Sequence, residues 1–374
     1  MKILIDLTSL HHNLSGIERH AMCMALALLK YDNSSSFYLV FKNDVHNSFS
    51  TIINNERIKS IIVKGKNKFV FNQVILPFVL YKYKSDAYLF FAFQCPYLFR
   101  RKNIFNTVHD LVCWDYANTM KFFSSIYYKL SIKNALRVSK RIFVISNYTK
   151  NRVVELFKYS KDQLLLTYCG VSNSFFQFHY NEIKAKEIKQ KYNLPDDYLL
   201  CLSTVEPRKN IKLLINAYIE LYNEKKINYY LVLAGRIGWK VKDIKQYIPL
   251  QLVDKIIFTG FIEDEDLPYI YYLSKCFVFP SIYEGFGLPP LEAMSIGTPV
   301  ISSDSTALTE ILGNASIKFK SNDKEDLKNK ILLFSNLDNK EKSKIINGGY
   351  ERAKLFKWDI SAKKVFNVIK KNCY

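Results

Sequence analysis

Residues 281–300 read SIYEGFGLPPLEAMSIGTPV and are the most informative stretch of this chain. Glu284 and Glu292 stand eight positions apart, with two glycines and a Pro-Pro pair between them. A strand-like run, CFVFPS, comes before the glycines, and Pro289 lies where a helix can begin. A glycine-rich turn exposes backbone N–H groups, and the positive end of the following helix dipole lies at the same place. The pattern predicts a strand–turn–helix corner that binds an anion.

Short apolar runs alternate with helix-length segments along the chain. Ten runs read as strands: KILIDL, FYLVFK, AYLFFA, IFNTV, RIFVIS, YLLCLS, YYLVLA, KIIFTG, CFVFPS and PVISS. Helical segments are predicted at residues 17–29, 147–157, 211–223, 264–273 and 358–371. This alternation predicts an α/β fold with parallel sheets, in which ligands bind beyond the carboxyl ends of the strands.

The length of 374 residues suits two domains. The strand pattern restarts after Pro195, so we place the linker at residues 173–195. The predicted domains are residues 1–175, completed by residues 357–374, and residues 190–356.

Composition excludes several classes of protein. No apolar run reaches the ~18 residues that a membrane-spanning helix needs. The first ten residues, MKILIDLTSL, alternate like a strand and do not resemble a signal peptide. Seven scattered cysteines favour a reducing cytoplasm over a disulfide or zinc framework. We therefore expect a cytoplasmic protein without a metal site.

Positive charge is concentrated in the amino half. Residues 1–180 hold 24 Lys and Arg against 10 Asp and Glu, whereas residues 181–374 hold 30 against 24. A strongly basic amino half favours attachment to an anionic membrane surface. The alternative is that these lysines are ordinary solvated surface residues. No nucleic-acid recognition motif is present, so nucleic acid is not an expected partner. Three basic clusters lie beside aromatic residues: Lys64, Lys66 and Lys68 beside Phe69 and Phe71; Lys82 and Lys84 beside Tyr81 and Tyr83; Arg100, Arg101 and Lys102 beside Tyr97 and Phe99.

The segment EGFGLPPLEAM, followed two residues later by GTPV, resembles the E-x7-E signature of family-4 retaining glycosyltransferases. In motif style it is closest to bacterial mannosyltransferase-like enzymes of O-antigen and surface-polysaccharide synthesis. The resemblance implies the GT-B fold: two Rossmann-like parallel-sheet domains that face each other across a cleft, with a C-terminal helix packed back on the first. It also implies that the first domain binds the acceptor, that the second binds a GDP- or UDP-sugar, and that no metal or other cofactor is needed. The alternative, a corner whose acids are merely solvated, does not explain the paired glycines.

The resemblance assigns roles within the corner. It places Glu284, as a catalytic residue, near the transferred sugar, and it places Glu292 on the ribose hydroxyls of the donor. A carboxylate can accept hydrogen bonds from two hydroxyls at once. Backbone N–H groups of the turn would meet the donor diphosphate, and the donor-binding residues there are Gly285, Phe286, Gly287 and Leu288.

A second motif, STVEPRKN at residues 203–210, resembles the family's segment that clamps the donor diphosphate. Its basic residues are Arg208, which suits bidentate phosphate contacts, and Lys209, which supplies a point charge. Ser203 replaces a usual glycine and Thr204 an arginine of some members, so the clamp differs in shape or strength. The segment TGFIEDEDL contributes Phe261 and Ile262 as candidates beside the nucleobase.

Two motifs in the amino half match the first-domain wall of such a site. NTVHDL contains His109, which the resemblance places at the reaction centre as a catalytic residue; a structural histidine is the alternative. LTSLHHNLSGIERH opens a helix after the first strand. The resemblance implies that the loop with Gly16, a candidate donor-binding residue, approaches the donor diphosphate or the acceptor. His11, His12 and Arg19 of the same segment are weaker candidates for acceptor binding.

The resemblance implies transfer of a sugar from a nucleotide donor to a hydroxyl of an acceptor, with retention at the anomeric carbon. With the basic amino half, it favours a lipid-linked oligosaccharide acceptor at the inner face of the cell membrane. Two alternatives stay open: a GT-B relative that acts as a phosphorylase or nucleotide-sugar epimerase, and a non-catalytic protein that binds sugar nucleotides.

Overall fold

A computed structural model describes residues 1–11, 14–66, 70–236, 238 and 244–373. His12, Lys68 and Phe69, named above as candidates, lie outside the described residues. The chain divides into two compact units. The first comprises Met1–Ala117, Phe122–Gly170 and Lys357–Tyr374, and the second comprises Asn118–Lys121 and Val171–Phe356.

The first unit is built on a seven-stranded sheet whose paired strands are all parallel, in the order β3-β2-β1-β4-β5-β6-β7. Its strands are β1 Lys2–Asp6, β2 Ser36–Lys42, β3 Ile58–Val63, β4 Ala87–Phe90, β5 Ile104–Val108, β6 Arg141–Val144 and β7 Leu164–Leu166. The strands are rich in Ile, Leu, Val and Phe because both faces of such a sheet are covered by other elements.

Helices of the first unit connect the strands. They are α1 Gly16–Tyr31, α2 Leu76–Lys82 (after a π-helical turn, Phe71–Ile75), α3 Val112–Asp115, α4 Phe122–Val138, α5 Asn147–Phe157 and, from the end of the chain, α14 Trp358–Cys373. The final helix α14 packs against α1. The helix predicted for residues 358–371 is therefore confirmed, as is its packing on the first sheet domain.

The second unit holds a six-stranded sheet with parallel pairing throughout, in the order β10-β9-β8-β11-β12-β13. Its strands are β8 Tyr198–Leu202, β9 Tyr230–Ala234, β10 Ile256–Gly260, β11 Cys276–Phe279, β12 Val300–Ser303 and β13 Ile317–Phe319. Its helices are α6 Asn173–Phe176, α7 Glu182–Tyr192, α8 Ile211–Asn223, α9 Leu267–Tyr272, α10 Leu288–Ser295, α11 Thr306–Leu312, α12 Lys324–Asn336 and α13 Asn339–Lys354.

Each unit has its own apolar core. In the first, buried side chains of β1, β2 and β4 pack with the helix around Leu76 and Leu80. In the second, α8 and α12 cover one face of the sheet, through residues such as Leu214, Tyr218 and Leu327. The predicted α/β class with two Rossmann-like parallel-sheet domains is confirmed. Residues 173–195, where we placed the linker, contain α6 and α7 of the second unit.

Candidate active site

The order of the second sheet reverses between β8 and β11, which lie side by side. Open α/β sheets bind ligands at such a switch point, because the connections to either side leave a crevice there. The loop after β8 carries Arg208 and Lys209, and the loop after β11 carries Glu284. The backbone N–H of Ile282 donates to the carbonyl oxygen of Arg208 at 2.9 Å, so the two loops are joined directly.

These loops bring two cations and two carboxylates together. Lys209 Nζ lies 2.5 Å from Glu284 Oε1, and Arg208 Nη1 lies 3.3 Å from Glu284 Oε2. The other side of the guanidinium contacts Glu206, whose Oε1 lies 2.5 Å from Arg208 Nε. Both predicted clamp residues therefore meet the predicted catalytic glutamate within one ion cluster. Its formal charges balance, so an incoming anion must share or displace these carboxylate contacts.

The ion cluster is largely removed from solvent. The side chains of Lys209 and Glu284 are 12% and 10% exposed. Burial opposes ionisation of Glu284, but the charges of Lys209 and Arg208 outweigh it and lower the pKa of the carboxyl. Burial, reinforced by the positive charge of Arg208, also lowers the pKa of Lys209 despite the neighbouring carboxylate. Glu284 is thus held as a carboxylate, and Lys209 is an ammonium that an additional negative charge would stabilise.

Two hydroxyl residues fix the position of Glu284. Ser281 Oγ donates to Glu284 Oε1 at 2.6 Å. Thr306 Oγ1, at the start of α11, accepts from the Glu284 N–H and donates to the Glu284 carbonyl oxygen, both at 2.9 Å. The backbone and the carboxylate are therefore both restrained before any ligand binds.

The glycine turn ends at Gly287, which precedes α10 and has φ +103°. A Cβ atom there would lie 2.4 Å from Leu308 Cδ2 of α11, so the position needs glycine both for its backbone conformation and for space. Pro289 and Pro290 have no N–H, which leaves the N–H groups of residues 285–288 as the donors at this helix end. Phe286 buries its ring against Phe356, with ring centroids 5.7 Å apart, so the ring itself is not presented to a ligand.

Glu292 lies one turn into α10 and is 4% exposed. Tyr271 of α9 donates its hydroxyl to Glu292 Oε2 at 3.0 Å. Thr298 Oγ1 in turn donates to the Tyr271 carbonyl oxygen at 2.8 Å, which restrains the tyrosine backbone. Glu292 is thus an oriented acceptor on the helix that the glycine turn starts.

Phe261 follows β10, two strands from β8, and lies under Arg236, whose guanidinium carbon is 4.5 Å from the ring centroid. An aromatic face beside a cation at the carboxyl edge of the sheet is a suitable place for a nucleobase. Ile262, the neighbouring candidate, is buried, which indicates a structural role.

The first unit holds the remaining candidates. His109 follows β5, is buried, and its Nε2 lies 2.7 Å from the carbonyl oxygen of Phe91. Burial lowers the pKa of His109, and the ring of His20 packs edge-on against it at 4.7 Å. His20 is itself buried, and burial places its pKa well below the ordinary value. The pair is therefore neutral at physiological pH, which suits hydrogen bonding to a hydroxyl better than electrostatic stabilisation of a phosphate.

Gly16 is the first residue of α1 and is exposed, after the N-cap residue Ser15. The carboxylate of Glu18 reaches back to the Ser15 N–H at 2.8 Å and completes a capping box. The weaker candidate His11 is exposed, with Nδ1 2.7 Å from the Ser9 carbonyl oxygen.

A cavity of about 370 Å³ lies at the switch point of the first sheet, beyond the carboxyl ends of β1, β2 and β4. Its lining includes three carboxylates and four amides, groups that bind sugar hydroxyls. Burial raises the pKa of Asp6 in this lining to about 6, although Thr8 donates two hydrogen bonds to it. The polar residues that line the cavity are Asp6, Thr8, Ser9, His11, Glu18, Lys42, Asn43, Asp44, His46, Asn72, Gln73 and Gln94.

Sequence reasoning missed several of these contacts. Glu206 lies within the STVEPRKN motif, and Ser281 lies three residues before Glu284. Both residues are in quoted motifs, but the sequence predicted no role for them. Tyr271, Thr306 and His20 carry no local signal, because each meets its partner through the packing of separate elements.

Comparison with known proteins identifies the class. Residues 183–352 match the family described as glycosyl transferases group 1, so the chain contains a glycosyltransferase domain that spans the ion cluster and α10. Among curated relatives, O-antigen chain mannosyltransferase B of Escherichia coli is 29% identical over 99% of this chain and 100% of its own length. Serotype-specific mannosyltransferase WbdA of Escherichia coli is 36% identical over 59% of this chain, which corresponds to 28% of that longer protein.

A solved structure supports the same class at the level of the fold. Anabaena HepE in complex with UDP-glucose superposes with a TM-score of 0.75 over 99% of this chain and 100% of that one, at 15% identity. The predicted GT-B class and the resemblance to glycosyltransferases of O-antigen synthesis are confirmed. Within the described ranges, no helix is long and apolar enough to span a bilayer, and no group of three or more potential metal ligands occurs.

Proposed function

We propose that this protein is a retaining glycosyltransferase that transfers a mannosyl group from a nucleotide-mannose donor to a hydroxyl of a lipid-linked oligosaccharide. The ion cluster of Arg208, Lys209 and Glu284 beside the N-terminus of α10 carries the proposal. It lies at the switch point of a group 1 glycosyltransferase domain, where the donor is expected. The choice of sugar rests on the mannosyltransferase relatives.

In the proposed reaction the bond between the anomeric carbon and the diphosphate oxygen breaks, and its electron pair stays with the diphosphate. The acceptor oxygen bonds to the same face of the anomeric carbon, and its proton passes to the departing phosphate oxygen. Arg208, Lys209 and the N–H groups of residues 285–288 stabilise the charge that grows on the leaving group. This stabilisation lowers the barrier because it strengthens as the bond breaks.

Glu284 is proposed to face the sugar, where its carboxylate accepts hydrogen bonds from hydroxyls and stabilises positive charge near the anomeric carbon. Glu292 is proposed to bind the ribose hydroxyls, and Phe261 to lie beside the base. In the first unit, His109 and Gly16 are proposed to approach the reacting sugar and the diphosphate. The cavity lined by Asp6 is proposed to receive the acceptor saccharide because its amides and carboxylates match hydroxyl groups.

The basic amino half supports an acceptor carried at the cytoplasmic face of an anionic membrane. We propose that the reaction needs no metal, since Arg208, Lys209 and the helix end supply positive charge to the leaving group. Excess EDTA should leave turnover unchanged, and a loss restored by Mg²⁺ would contradict this part of the proposal.

A panel of nucleotide sugars tests the donor. We expect GDP-mannose or UDP-mannose to raise the melting temperature, because a ligand that binds only the folded state stabilises it. Products formed with a saccharide acceptor should then contain a new mannosyl linkage with retained anomeric configuration, as read by NMR. Inversion, phosphorolysis of the product or epimerisation of the donor would each reject the proposed reaction.

Substitutions in the cluster connect the reaction to the site. Glu284→Gln and Lys209→Ala should each reduce kcat by at least about a hundredfold, because groups that stabilise developing charge are typically worth that much. Glu56→Gln, an exposed carboxylate of the first unit, is the charge-matched control and should retain full turnover. Unchanged rates in both cluster variants would refute the site assignment.

A further inference from the structure

Three segments of the first unit expose large apolar side chains. In helix α4, Phe122 is 72% exposed, Phe123 84% and Leu130 52%. In and just before α2, Val74 is 58% and Phe78 75% exposed. Leu98, in the loop after β4, is 65% exposed. Monomeric proteins rarely leave such large apolar groups together in water unless the surface binds something.

Hydrogen bonds join these three segments into one surface. The side chain of Gln73 accepts from the Tyr97 N–H at 3.0 Å, and its amide donates to the Tyr127 hydroxyl of α4 at 3.4 Å. The hydroxyl of Tyr81 donates to the Leu98 carbonyl oxygen at 3.1 Å. Each of these residues is a sequence or helix neighbour of an exposed apolar side chain. The three segments are therefore adjacent, and we name their exposed surface the α2–α4 face: residues 70–84, 97–102 and 122–137.

The charged residues within the three segments of the α2–α4 face are all basic. These segments contain eight lysines and arginines and no aspartate or glutamate. On α4 the exposed row passes from Phe122, Ile126 and Leu130 to Lys133 and Arg137. An open groove at the edge of this face is lined by four cations, Lys84, Arg100, Arg101 and Lys102, and by one carboxylate, Asp86.

Arg100 connects the two basic regions, since its Nη2 donates to Asn134 Oδ1 of α4 at 3.0 Å. A cationic rim around exposed aromatic and aliphatic groups matches a bilayer of anionic lipids, in which apolar groups enter the acyl boundary and cations contact headgroups. A protein partner would explain the apolar groups but does not require eight charges of one sign.

We propose that the α2–α4 face docks on an anionic lipid bilayer, with Phe78, Phe122 and Phe123 as the inserted side chains. This docking rests on the proposed function, because its purpose is to bring a lipid-linked acceptor to the enzyme. Gln73, which ties α2 to α4, also lines the cavity assigned to the acceptor, as do Asn72 and Leu76. Docking through this face places that cavity beside the membrane surface, where the saccharide of a lipid-linked acceptor lies.

Vesicle binding tests the docking surface without any sugar substrate. We expect the full-length protein to sediment with phosphatidylcholine vesicles that contain phosphatidylglycerol, and much less with phosphatidylcholine alone. Phe122→Ser with Phe123→Ser should weaken binding to the anionic vesicles about tenfold or more. The matched apolar control is Leu250→Ser in the second unit, which removes a side chain that is 91% exposed and should leave binding unchanged.

A charge pair tests the cationic rim. Lys133→Glu with Arg137→Glu should weaken binding to anionic vesicles, whereas Lys340→Glu with Lys344→Glu, an equal change of net charge on α13, should have a smaller effect. Equal binding to neutral and anionic vesicles, or equal losses in the face and control variants, would overturn the proposal. So would a dimer that Phe122→Ser with Phe123→Ser converts to a monomer without any change in vesicle binding.

Activity assays separate this proposal from the proposed function. The Phe122→Ser, Phe123→Ser variant should retain transfer to a water-soluble saccharide and lose transfer to the same saccharide on a lipid in vesicles. If the wild type binds vesicles through this face but transfers sugar to neither acceptor, the proposed function fails and the docking surface stands. If it transfers to both acceptors equally well in wild type and variant, the docking surface fails and the function stands.

Discussion

At the scale of residues, Glu284 holds together the loops that follow β8 and β11 in the second unit. Its carboxylate contacts Lys209, Arg208 and Ser281, and its backbone is held by Thr306. A cluster of this kind arranges a site in advance, but it also makes stability depend on the charge of one group.

The pKa of Glu284 predicts the direction of this pH dependence. Because the folded-state pKa is lowered, the stabilisation is fully present above the unfolded value of about 4.3 and is lost as the pH falls through the folded value. Glu284→Gln should lower the free energy of unfolding by roughly 3 kcal/mol near pH 7, since two largely buried cations lose a counter-charge. Urea unfolding should show this difference shrinking below about pH 4. A difference in the free energy of unfolding that stays constant across the acid range would contradict the lowered pKa of Glu284.

The pKa of Asp6 predicts a pH dependence of stability opposite to that of Glu284. Its folded-state pKa of about 6 lies above the unfolded value, so folding favours the protonated form and the free energy of unfolding falls as the pH rises toward 6. Asp6→Asn keeps an oxygen that can accept both Thr8 hydrogen bonds and removes the buried charge. We expect it to stabilise the protein by about 2–3 kcal/mol above pH 6, measured by urea unfolding.

The same variant distinguishes structure from function at Asp6. If Asp6 binds acceptor hydroxyls, Asp6→Asn should raise KM for the acceptor while the donor KM stays unchanged. Equal stability of wild type and variant above pH 6 would show that the aspartate is not desolvated as the geometry implies.

At the scale of elements, the glycine turn and α10 can be tested by a pair of glycine substitutions. Gly287→Ala should destabilise the second unit by at least about 2 kcal/mol, because φ is +103° and Leu308 occupies the space of the new Cβ. Gly16→Ala, at the start of α1, meets nothing within 4 Å and should change stability by less than about 0.5 kcal/mol. Thermal unfolding checks both, and similar losses at the two positions would contradict this account.

Gly16→Ala also tests a predicted donor contact. If the Gly16 loop approaches the diphosphate as the resemblance implies, the variant should keep its stability and lose donor affinity. Full activity would remove Gly16 from the site.

The elements could be predicted from the sequence wherever a run was long and apolar. All ten predicted strands are strands, and the helices predicted for residues 147–157 and 211–223 have the same bounds in the structure. Strands β7 and β13 were not predicted, because three residues are too few to show a period. Strand β3 was not predicted, because Lys59 and Ser60 interrupt its apolar pattern.

The site was predictable only in part, for a related reason. Glu284, Arg208 and Lys209 stand in recognisable motifs, but their meeting requires β8 and β11 to be neighbours, and alternation along the chain does not specify sheet order. The bond between Tyr271 and Glu292 joins residues 21 positions apart on two helices, and no local pattern indicates it.

At the scale of the whole molecule, the first unit is assembled from distant parts of the chain. Trp358 of α14 packs edge-on against His20 of α1 at 5.5 Å, and Ser361 Oγ donates to the Tyr168 carbonyl oxygen at 2.6 Å. The backbone of Trp358 also lies so close to Gly170 that a Cβ there would come within 2.2 Å of its nitrogen. The last helix is therefore a structural part of the first unit.

Trp358→Ala should accordingly weaken the first unit and spare the second. A loss of about 3 kcal/mol is expected for truncation of a buried aromatic side chain. Hydrogen exchange should quicken in β1 and α1 while the amides of β8 and α8 keep their protection. Ile360→Ala, half exposed on the same helix, is the control and should change neither unit. Equal loss of protection in both units would show that α14 does not belong to the first unit alone.

This arrangement has a consequence for synthesis on the ribosome. Nascent domains generally fold as they emerge, amino end first. Here the partner of α1 is translated only after all of Val171–Phe356. The side of α1 that carries His20 and Tyr31, whose rings pack against Trp358 and Phe366 of α14, therefore stays uncovered while the second unit is made. During that interval a nascent chain offers a chaperone-binding segment that the finished protein conceals, and a stall late in translation would leave it exposed.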